Sequence, residues 1–125
     1  MLTRILVIAS AGALGAVARY ALSGVVHRLF GASFPYGTLV VNMAGCFIFG
    51  LVWALAQGRV LMTGDNRTAI LIGFVGAFTT FSSFIYESFS LLRGGQVLLF
   101  ALNIVGQNAA GILFLVLGIA VAGLF

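Results

Sequence analysis

The sequence predicts an all-α membrane protein with four transmembrane helices in a single domain, the third helix being broken near its middle. Two observations predict this class. Of the 125 residues, 62% are hydrophobic and only 6% are charged, whereas a soluble domain carries about a quarter charged residues. The apolar residues also form four long segments separated by short polar stretches. About 20 apolar residues in a helix cross a bilayer core, so each segment is long enough to span it.

The charged residues and the single cysteine exclude other classes. The net charge of +4 comes from arginines against Asp65 and Glu87. In so apolar a chain this balance reflects membrane flanks, and no nucleic-acid partner is expected. Cys46 has no second cysteine to pair with, so we expect neither a disulfide nor a metal cluster. His27 beside Arg28 is typical of an interfacial position. Without a nucleophile–base pair or a carboxylate cluster, the chain is not expected to be an enzyme.

The first span is predicted over residues 5–26. Gly12 and Gly15 place small side chains at helical spacing, which lets another helix approach closely. The alternative is a cleavable signal peptide, because Arg4 precedes an apolar run. That run continues too far for a signal peptide, which favours a spanning helix. Arg19 lies near the far end, where it either snorkels to headgroups or attracts anions.

The second span is predicted over residues 38–56, after a short loop that contains Pro35, the only proline. A short loop makes this helix run antiparallel to the first. Asn42 lies one turn inside its start, and an amide within a span usually forms a hydrogen bond to another helix. Gly50 offers another position for close packing, and Trp53 fits an interfacial aromatic residue.

The third and fourth spans are predicted over residues 68–92 and 96–124. Residues 57–67 between the second and third spans are polar and are expected to form a solvated loop. The third span contains glycines and hydroxyl residues from Gly73 to Glu87. Backbone groups freed there must be satisfied by protein, ion or water, because lipid offers no partner. This stretch is therefore either a tight packing seam or the wall of a polar pathway, and the pathway is favoured.

The buried polar residues share one half of the membrane if consecutive helices alternate in direction. They are Arg19, Thr38, Asn42, Thr79, Thr80, Ser82, Ser83, Glu87, Asn103 and Gln107. One copy would line half of a path, whereas two copies in opposite orientations would line the whole thickness. The arginines are balanced, with Arg4, Arg59 and Arg67 on one side and Arg19, Arg28 and Arg93 on the other. Because this balance gives no positive-inside preference, we predict a dual-topology, antiparallel homodimer.

Hydroxyl and amide donors with an arginine at the mouth suit an anion. Phe81 and Phe84 share a face with these donors, and their positive ring edges would stabilise an anion weakly; otherwise they face lipid or core. A break near Gly76 and Thr79 would expose carbonyls that hold a cation on a dimer axis, the alternative being a packing contact. Glu87, the one carboxylate within the spans, is expected to contact Arg19 or Arg93.

Three stretches resemble the small fluoride channels known as Fluc or CrcB proteins. They are residues 12–20 (GALGAVARY), 37–45 (GTLVVNMAG) and 73–84 (GFVGAFTTFSSF) followed by Glu87. The resemblance implies an antiparallel homodimer in the cell (inner or plasma) membrane that passively exports fluoride through two pathways. It also implies a structural Na⁺ at the dimer centre, held by the backbone carbonyls of Gly76 and Thr79.

The resemblance also implies roles for individual residues. Phe81 and Phe84 look like the paired pore phenylalanines, Asn42 like the pore asparagine and Arg19 like the vestibule arginine. The remaining expected pathway residues are Thr38, Thr80, Ser82, Ser83, Asn103 and Gln107. Three positions depart from the family pattern. Ala77 stands where the family commonly has a second glycine, Asn103 where it often has tyrosine, and Gln107 where it often has serine or another small polar residue.

Two other classes compete with this interpretation. A small multidrug exporter also has four spans, but it needs a carboxylate deep in its first helix, and here that helix has none. An accessory membrane protein would explain the small-residue seams. It would not explain why the polar residues gather in one half of the membrane.

Overall fold

The computed structural model describes residues 1–58 and 64–125, so Arg59 of the polar loop lies outside the described residues. Within them, four helical spans are long and apolar enough to cross a membrane. No strand is found in the described ranges. The all-α class and the four spans are therefore confirmed, and the chain is a multi-pass membrane protein.

The helices extend beyond their apolar centres. Helix α1 runs over Leu2–Phe30, α2 over Tyr36–Gly58 and α6 over Val97–Ala122. The 29 residues of α1 correspond to about 43 Å of helix, more than the hydrocarbon core of about 30 Å requires. Polar residues continue the helix at its ends because interfacial water and headgroups accept them.

The third span, Gly64–Arg93, is built from several pieces. It comprises α3 (Gly64–Thr68), a π-helical segment (Ala69–Val75), α4 (Gly76–Phe78) and α5 (Phe81–Arg93). The break predicted near Gly76 and Thr79 is confirmed, and it lies at Thr79 and Thr80. Gly76 has helical dihedral angles (φ −61°, ψ −35°), whereas Thr79 (φ −78°, ψ 162°) and Thr80 (φ −148°, ψ 117°) are extended. The β-branched threonines suit extended backbone better than helix.

Glycines bring the helices into backbone contact. On α6, a Cβ added to Gly118 would lie 2.8 Å from the Leu51 amide nitrogen and would overlap the Phe47 carbonyl oxygen. On α2, a Cβ on Gly50 would overlap the Leu115 carbonyl oxygen. The α2–α6 seam therefore depends on small residues from both helices, as is usual where lipid supplies no hydrophobic drive for helix association.

The third span packs against α1 in the same manner. A Cβ on Gly15 would lie 3.1 Å from the Phe78 amide nitrogen and would overlap the Phe74 carbonyl oxygen. Gly73 faces α1 in turn, because its Cβ would lie 2.9 Å from the Ile8 carbonyl oxygen. The broken span is thus held against α1 on one side, while its other side faces α2 and α6.

Two contacts join α3 to neighbouring helices at one end of the bundle. Arg4 Nε lies 2.8 Å from Asp65 Oδ1, and the Arg67 guanidinium lies over the Trp53 ring, 4.0 Å from its centroid. Both side chains of the ion pair are largely exposed, so the pair contributes little stability. The contacts place the N-terminus and the start of the third span at the same membrane surface, as the antiparallel order of helices requires.

Candidate functional site

The side chain of Asn42 from α2 forms hydrogen bonds with the backbone at the break in the third span. Its Oδ1 accepts a hydrogen bond from the Thr80 N–H at 2.9 Å, and its Nδ2 donates to the Thr80 carbonyl at 3.2 Å. The amide therefore pairs with both backbone groups of one residue, as a neighbouring peptide would. This satisfies groups that lipid could not.

Thr80 is also the N-cap residue of α5. Its Oγ1 accepts from the Ser83 N–H at 3.2 Å, which caps the helix, and its hydroxyl donates to Ser83 Oγ at 3.0 Å. Ser82 Oγ lies 3.5 Å from the same hydroxyl. Three hydroxyls thus cluster at the start of α5, with Thr80 buried, Ser83 half-buried and Ser82 exposed.

The break changes which backbone carbonyls have helical partners. In a continuous helix the Thr80 and Ser83 N–H groups would pair with the carbonyls of Gly76 and Thr79. Here these N–H groups donate to Asn42 Oδ1 and Thr80 Oγ1 instead. The released carbonyls include the two that were predicted from the sequence to bind a cation, and carbonyl oxygens are the ligands that hard cations prefer. Their chemistry therefore fits a sodium ion.

A ladder of buried amides continues from Asn42 into α6. Asn42 Nδ2 donates to Gln107 Oε1 at 3.0 Å, and Gln107 Nε2 donates to Asn103 Oδ1 at 2.9 Å. Asn103 Nδ2 then donates to Ser88 Oγ at 2.8 Å. Asn103 is fully buried and Gln107 is 6% exposed. The structure therefore brings these two predicted residues to Asn42, but their side chains are engaged with protein.

Ser88 was missed in the sequence. Its hydroxyl donates to the Phe84 carbonyl at 2.6 Å, so its oxygen is left to accept from Asn103. Its spacing could have indicated a buried position, because Ser88 lies one helical turn beyond Phe84 on the same face of α5. A serine on an apolar helix face is common, however, and only its partner on α6 distinguishes it.

Glu87 pairs with Thr38, and not with an arginine. The Thr38 hydroxyl donates to Glu87 Oε1 at 2.7 Å, and within the described residues Arg4–Asp65 is the only ion pair. The expected contact of Glu87 with Arg19 or Arg93 is therefore wrong. The short threonine on α2 faces α5 directly, whereas Arg19 reaches the same cavity from α1 without approaching the carboxylate.

Two cavities meet at Thr80. The inner cavity, of about 360 Å³, is lined by Asn42, Thr80, Phe81, Phe84 and Gln107 among others. The outer cavity, of about 760 Å³, is lined by Arg19, His27, Thr38, Ser83 and Glu87 among others, and Thr80 contributes to its wall too. The predicted vestibule arginine and the predicted inner residues thus lie in neighbouring cavities that share one threonine. The sequence did not indicate that His27 lines the outer cavity.

The two phenylalanines of the inner cavity are tilted against each other. The Phe81 and Phe84 ring centroids are 6.0 Å apart, with 53° between the ring planes. Phe84 is buried at 6% exposure, whereas Phe81 is 75% exposed. An aromatic ring so exposed on a membrane-spanning helix is a surface that lipid or another chain covers.

The fold and the site define a class of protein: a small multi-pass membrane protein in which polar groups from α2, the broken third span and α6 converge between the helices. Residues 6–119 match the family described as CrcB-like protein, Camphor Resistance (CrcB). The chain belongs to this family, which confirms the resemblance found in its sequence.

Similar proteins carry one name. A protein of Nitrosococcus oceani named fluoride-specific ion channel FluC is 53% identical over 115 residues, which cover 92% of this chain and 92% of that protein. One of Solidesulfovibrio magneticus with the same name is 47% identical over 124 residues, covering 99% of each chain. One of Nitratidesulfovibrio vulgaris, again with this name, is 47% identical over 116 residues, covering 93% and 94%. These names describe ion channels, in agreement with the prediction that the chain is not an enzyme.

Proposed function

We propose that this protein is a fluoride-selective ion channel that passively exports fluoride across the cell membrane and so relieves fluoride toxicity. The observation that carries the proposal is the run of donors along the two cavities, from Arg19 through Thr38, Ser83 and Thr80 to Asn42. It occurs in a chain whose relatives are named fluoride-specific ion channels.

The chemistry of the donors suits the ion. Fluoride is small and strongly hydrated, so a pathway through the bilayer must replace its water with N–H and O–H groups. It must also release the ion, which requires several moderate sites in series in place of one strong site. The proposed pathway residues are Thr38, Asn42, Thr80, Phe81, Ser82, Ser83 and Phe84, with Asn103 and Gln107 behind Asn42. Arg19 attracts the anion at the mouth of the outer cavity.

The proposed assembly is an antiparallel homodimer with two pathways. The equal division of arginines between the two sides supports insertion in both orientations. The exposed ring of Phe81 supports a second copy that covers the inner cavity. Because the polar residues of one chain occupy one half of the membrane, an inverted partner supplies the other half of each path.

The proposed structural ion is Na⁺, held by the backbone carbonyls of Gly76 and Thr79. Support comes from the redirection of the Thr80 and Ser83 N–H groups, which leaves these carbonyls without their helical partners. When bound, the ion would supply positive charge that neutralises the carbonyl dipoles of two opposed breaks. In this role Gly76 and Thr79 stabilise the dimer and do not contact fluoride.

Fluoride efflux from liposomes that contain the purified protein tests the proposal. A fluoride electrode should record fast loss of fluoride in the presence of Na⁺, with negligible loss of chloride from matched liposomes. Protein-free liposomes give the background from permeation of HF. Absence of fluoride flux from folded dimer in Na⁺ would overturn the channel proposal and favour the accessory-protein alternative.

Replacing either phenylalanine tests the ring-edge contribution. Phe81→Ile and Phe84→Ile keep apolar bulk but remove the positive ring edge, which contributes about 0.5–1.5 kcal/mol in aromatic contacts. Each variant is expected to lower fluoride flux several-fold or more while the dimer persists in detergent. Phe89→Ile, on the exposed surface of α5, is the matched control. Normal flux through both pathway variants would refute the ring-edge role.

A further inference from the structure

We propose that Gln107 is a built-in substitute acceptor: its Oε1 occupies the Asn42 donor when no anion is present, so that fluoride and Gln107 compete for the same N–H. This inference rests on the proposed channel function and deepens it. It gives Gln107 a positioning role that controls how tightly the inner cavity holds an ion.

The orientation of the Asn42 amide follows from its partners. The Thr80 N–H can only donate, so the Asn42 atom 2.9 Å from it must be the oxygen. Both Nδ2 protons are then directed at acceptors, one at the Thr80 carbonyl and the other at Gln107 Oε1. An amide group has two such protons, so neither is left for an arriving anion.

The orientation of Gln107 follows in turn. Since its Oε1 faces Asn42, its Nε2 faces Asn103 Oδ1 at 2.9 Å. Asn103 then presents its Nδ2 to Ser88, whose own proton is given to the Phe84 carbonyl. The donor and the acceptor of every hydrogen bond in this series are therefore determined, because the series starts at the Thr80 backbone N–H and ends at the Phe84 backbone carbonyl. In the absence of an anion this orients the Gln107 oxygen towards Asn42.

Of the two hydrogen bonds donated by Asn42 Nδ2, the one to Gln107 is the one that can break. The bond to the Thr80 carbonyl is part of the closure of the helix break, and Thr80 is held further by its contacts with Ser83. The Gln107 side chain lines the inner cavity and has rotatable bonds that let its oxygen withdraw. Fluoride that reaches the cavity therefore exchanges with Gln107 for one proton of Asn42.

Such an exchange keeps binding moderate. A charge-assisted hydrogen bond to fluoride is stronger than the neutral amide bond it replaces, so the ion is accepted, but only the difference between the two bonds appears as affinity. When the ion leaves, Gln107 returns and the donor is never unsatisfied. A chain that conducts needs this combination of acceptance and release.

Two variants at one position test the proposal through the fluoride dependence of flux. Gln107→Met keeps the length of the side chain but removes the competing oxygen, so the half-saturating fluoride concentration should fall about three- to tenfold and the maximal flux should fall with it. Gln107→Glu introduces a carboxylate that holds the donor more strongly and repels fluoride. Its half-saturating concentration should rise by at least about threefold.

Gln57→Met, at the exposed end of α2, is the matched control and should leave both parameters unchanged. Opposite shifts in the two Gln107 variants support the substitute acceptor. Equal losses of maximal flux in the two variants, with no change in the half-saturating fluoride concentration, would overturn the proposal, because a purely structural role of Gln107 predicts that result. If Gln107→Met does not fold, Gln107→Glu tests the proposal alone: a higher half-saturating fluoride concentration supports it, and an unchanged or lower one overturns it. Absence of flux in the unaltered protein would instead refute the channel function on which the inference rests.

Discussion

Replacing Asn42 with alanine is expected to lower fluoride flux at least about tenfold, because the substitution removes a proposed pathway donor together with the hydrogen bonds that satisfy the backbone at the helix break. The Thr80 N–H and carbonyl both lose their partner, and Gln107 Oε1 loses its donor. A buried polar group left unsatisfied costs about 1–3 kcal/mol. The liposome assay measures the flux, and circular dichroism in detergent reports whether the third span stays helical.

Asn108→Ala is the matched control. Asn108 lies on α6 beside the inner cavity, but its Nδ2 donates to the Ile104 carbonyl of its own helix at 2.7 Å. Its loss therefore leaves no group of another helix unsatisfied, and the reduction of flux should be much smaller than for Asn42→Ala. Comparable flux through the Asn42 variant and the unaltered protein would remove Asn42 from the pathway.

Replacing Gly118 with alanine is expected to destabilise the folded protein by about 3 kcal/mol, the upper end of the range for overpacked positions. The added methyl group would meet the Phe47 carbonyl and the Leu51 amide nitrogen of α2. Both neighbours are backbone groups, so no side-chain rotation relieves the overlap, and α2 and α6 must separate. Resistance to unfolding in mixed micelles measures the loss.

Gly106→Ala, on the same helix, has the opposite expectation. Apart from Gly106 itself, its chain neighbours and the adjacent backbone of its own helix, no atom of the described chain lies within 4 Å of a Cβ at this position. Alanine is also the better helix former by about 1 kcal/mol. Stability should therefore be unchanged or higher. An equal loss of stability in Gly118→Ala and Gly106→Ala would contradict the claim that close packing between α2 and α6 requires glycine at position 118.

The fold class was predictable because membrane insertion depends on local hydropathy. The four apolar segments indicate four spans irrespective of how the helices pack, and short connections make neighbouring helices antiparallel. The break in the third span was also predictable in kind, since threonines and glycines gather there. The sequence also placed the break near Thr79, but it did not show that the break extends to Thr80. That extension depends on whether a side chain elsewhere can satisfy the freed backbone, and that side chain is Asn42.

The polar residues of the site were likewise predictable as a set, since alternating helix directions bring them to one depth. Their partners were not. Glu87 had candidate partners in Arg19 and Arg93, and the structure pairs it with Thr38. Ser88 was not distinguished from other serines until Asn103 was found opposite it.

By itself, the sequence determined the membrane environment, the number of spans and the family. The tertiary structure alone decided which polar groups are bonded to one another and which backbone carbonyls are released. The physical reason is that hydropathy acts on each segment separately, whereas a hydrogen bond requires two atoms to lie within about 3 Å. That distance depends on the rotation and register of α2, α5 and α6, which close packing at Gly50 and Gly118 helps to set.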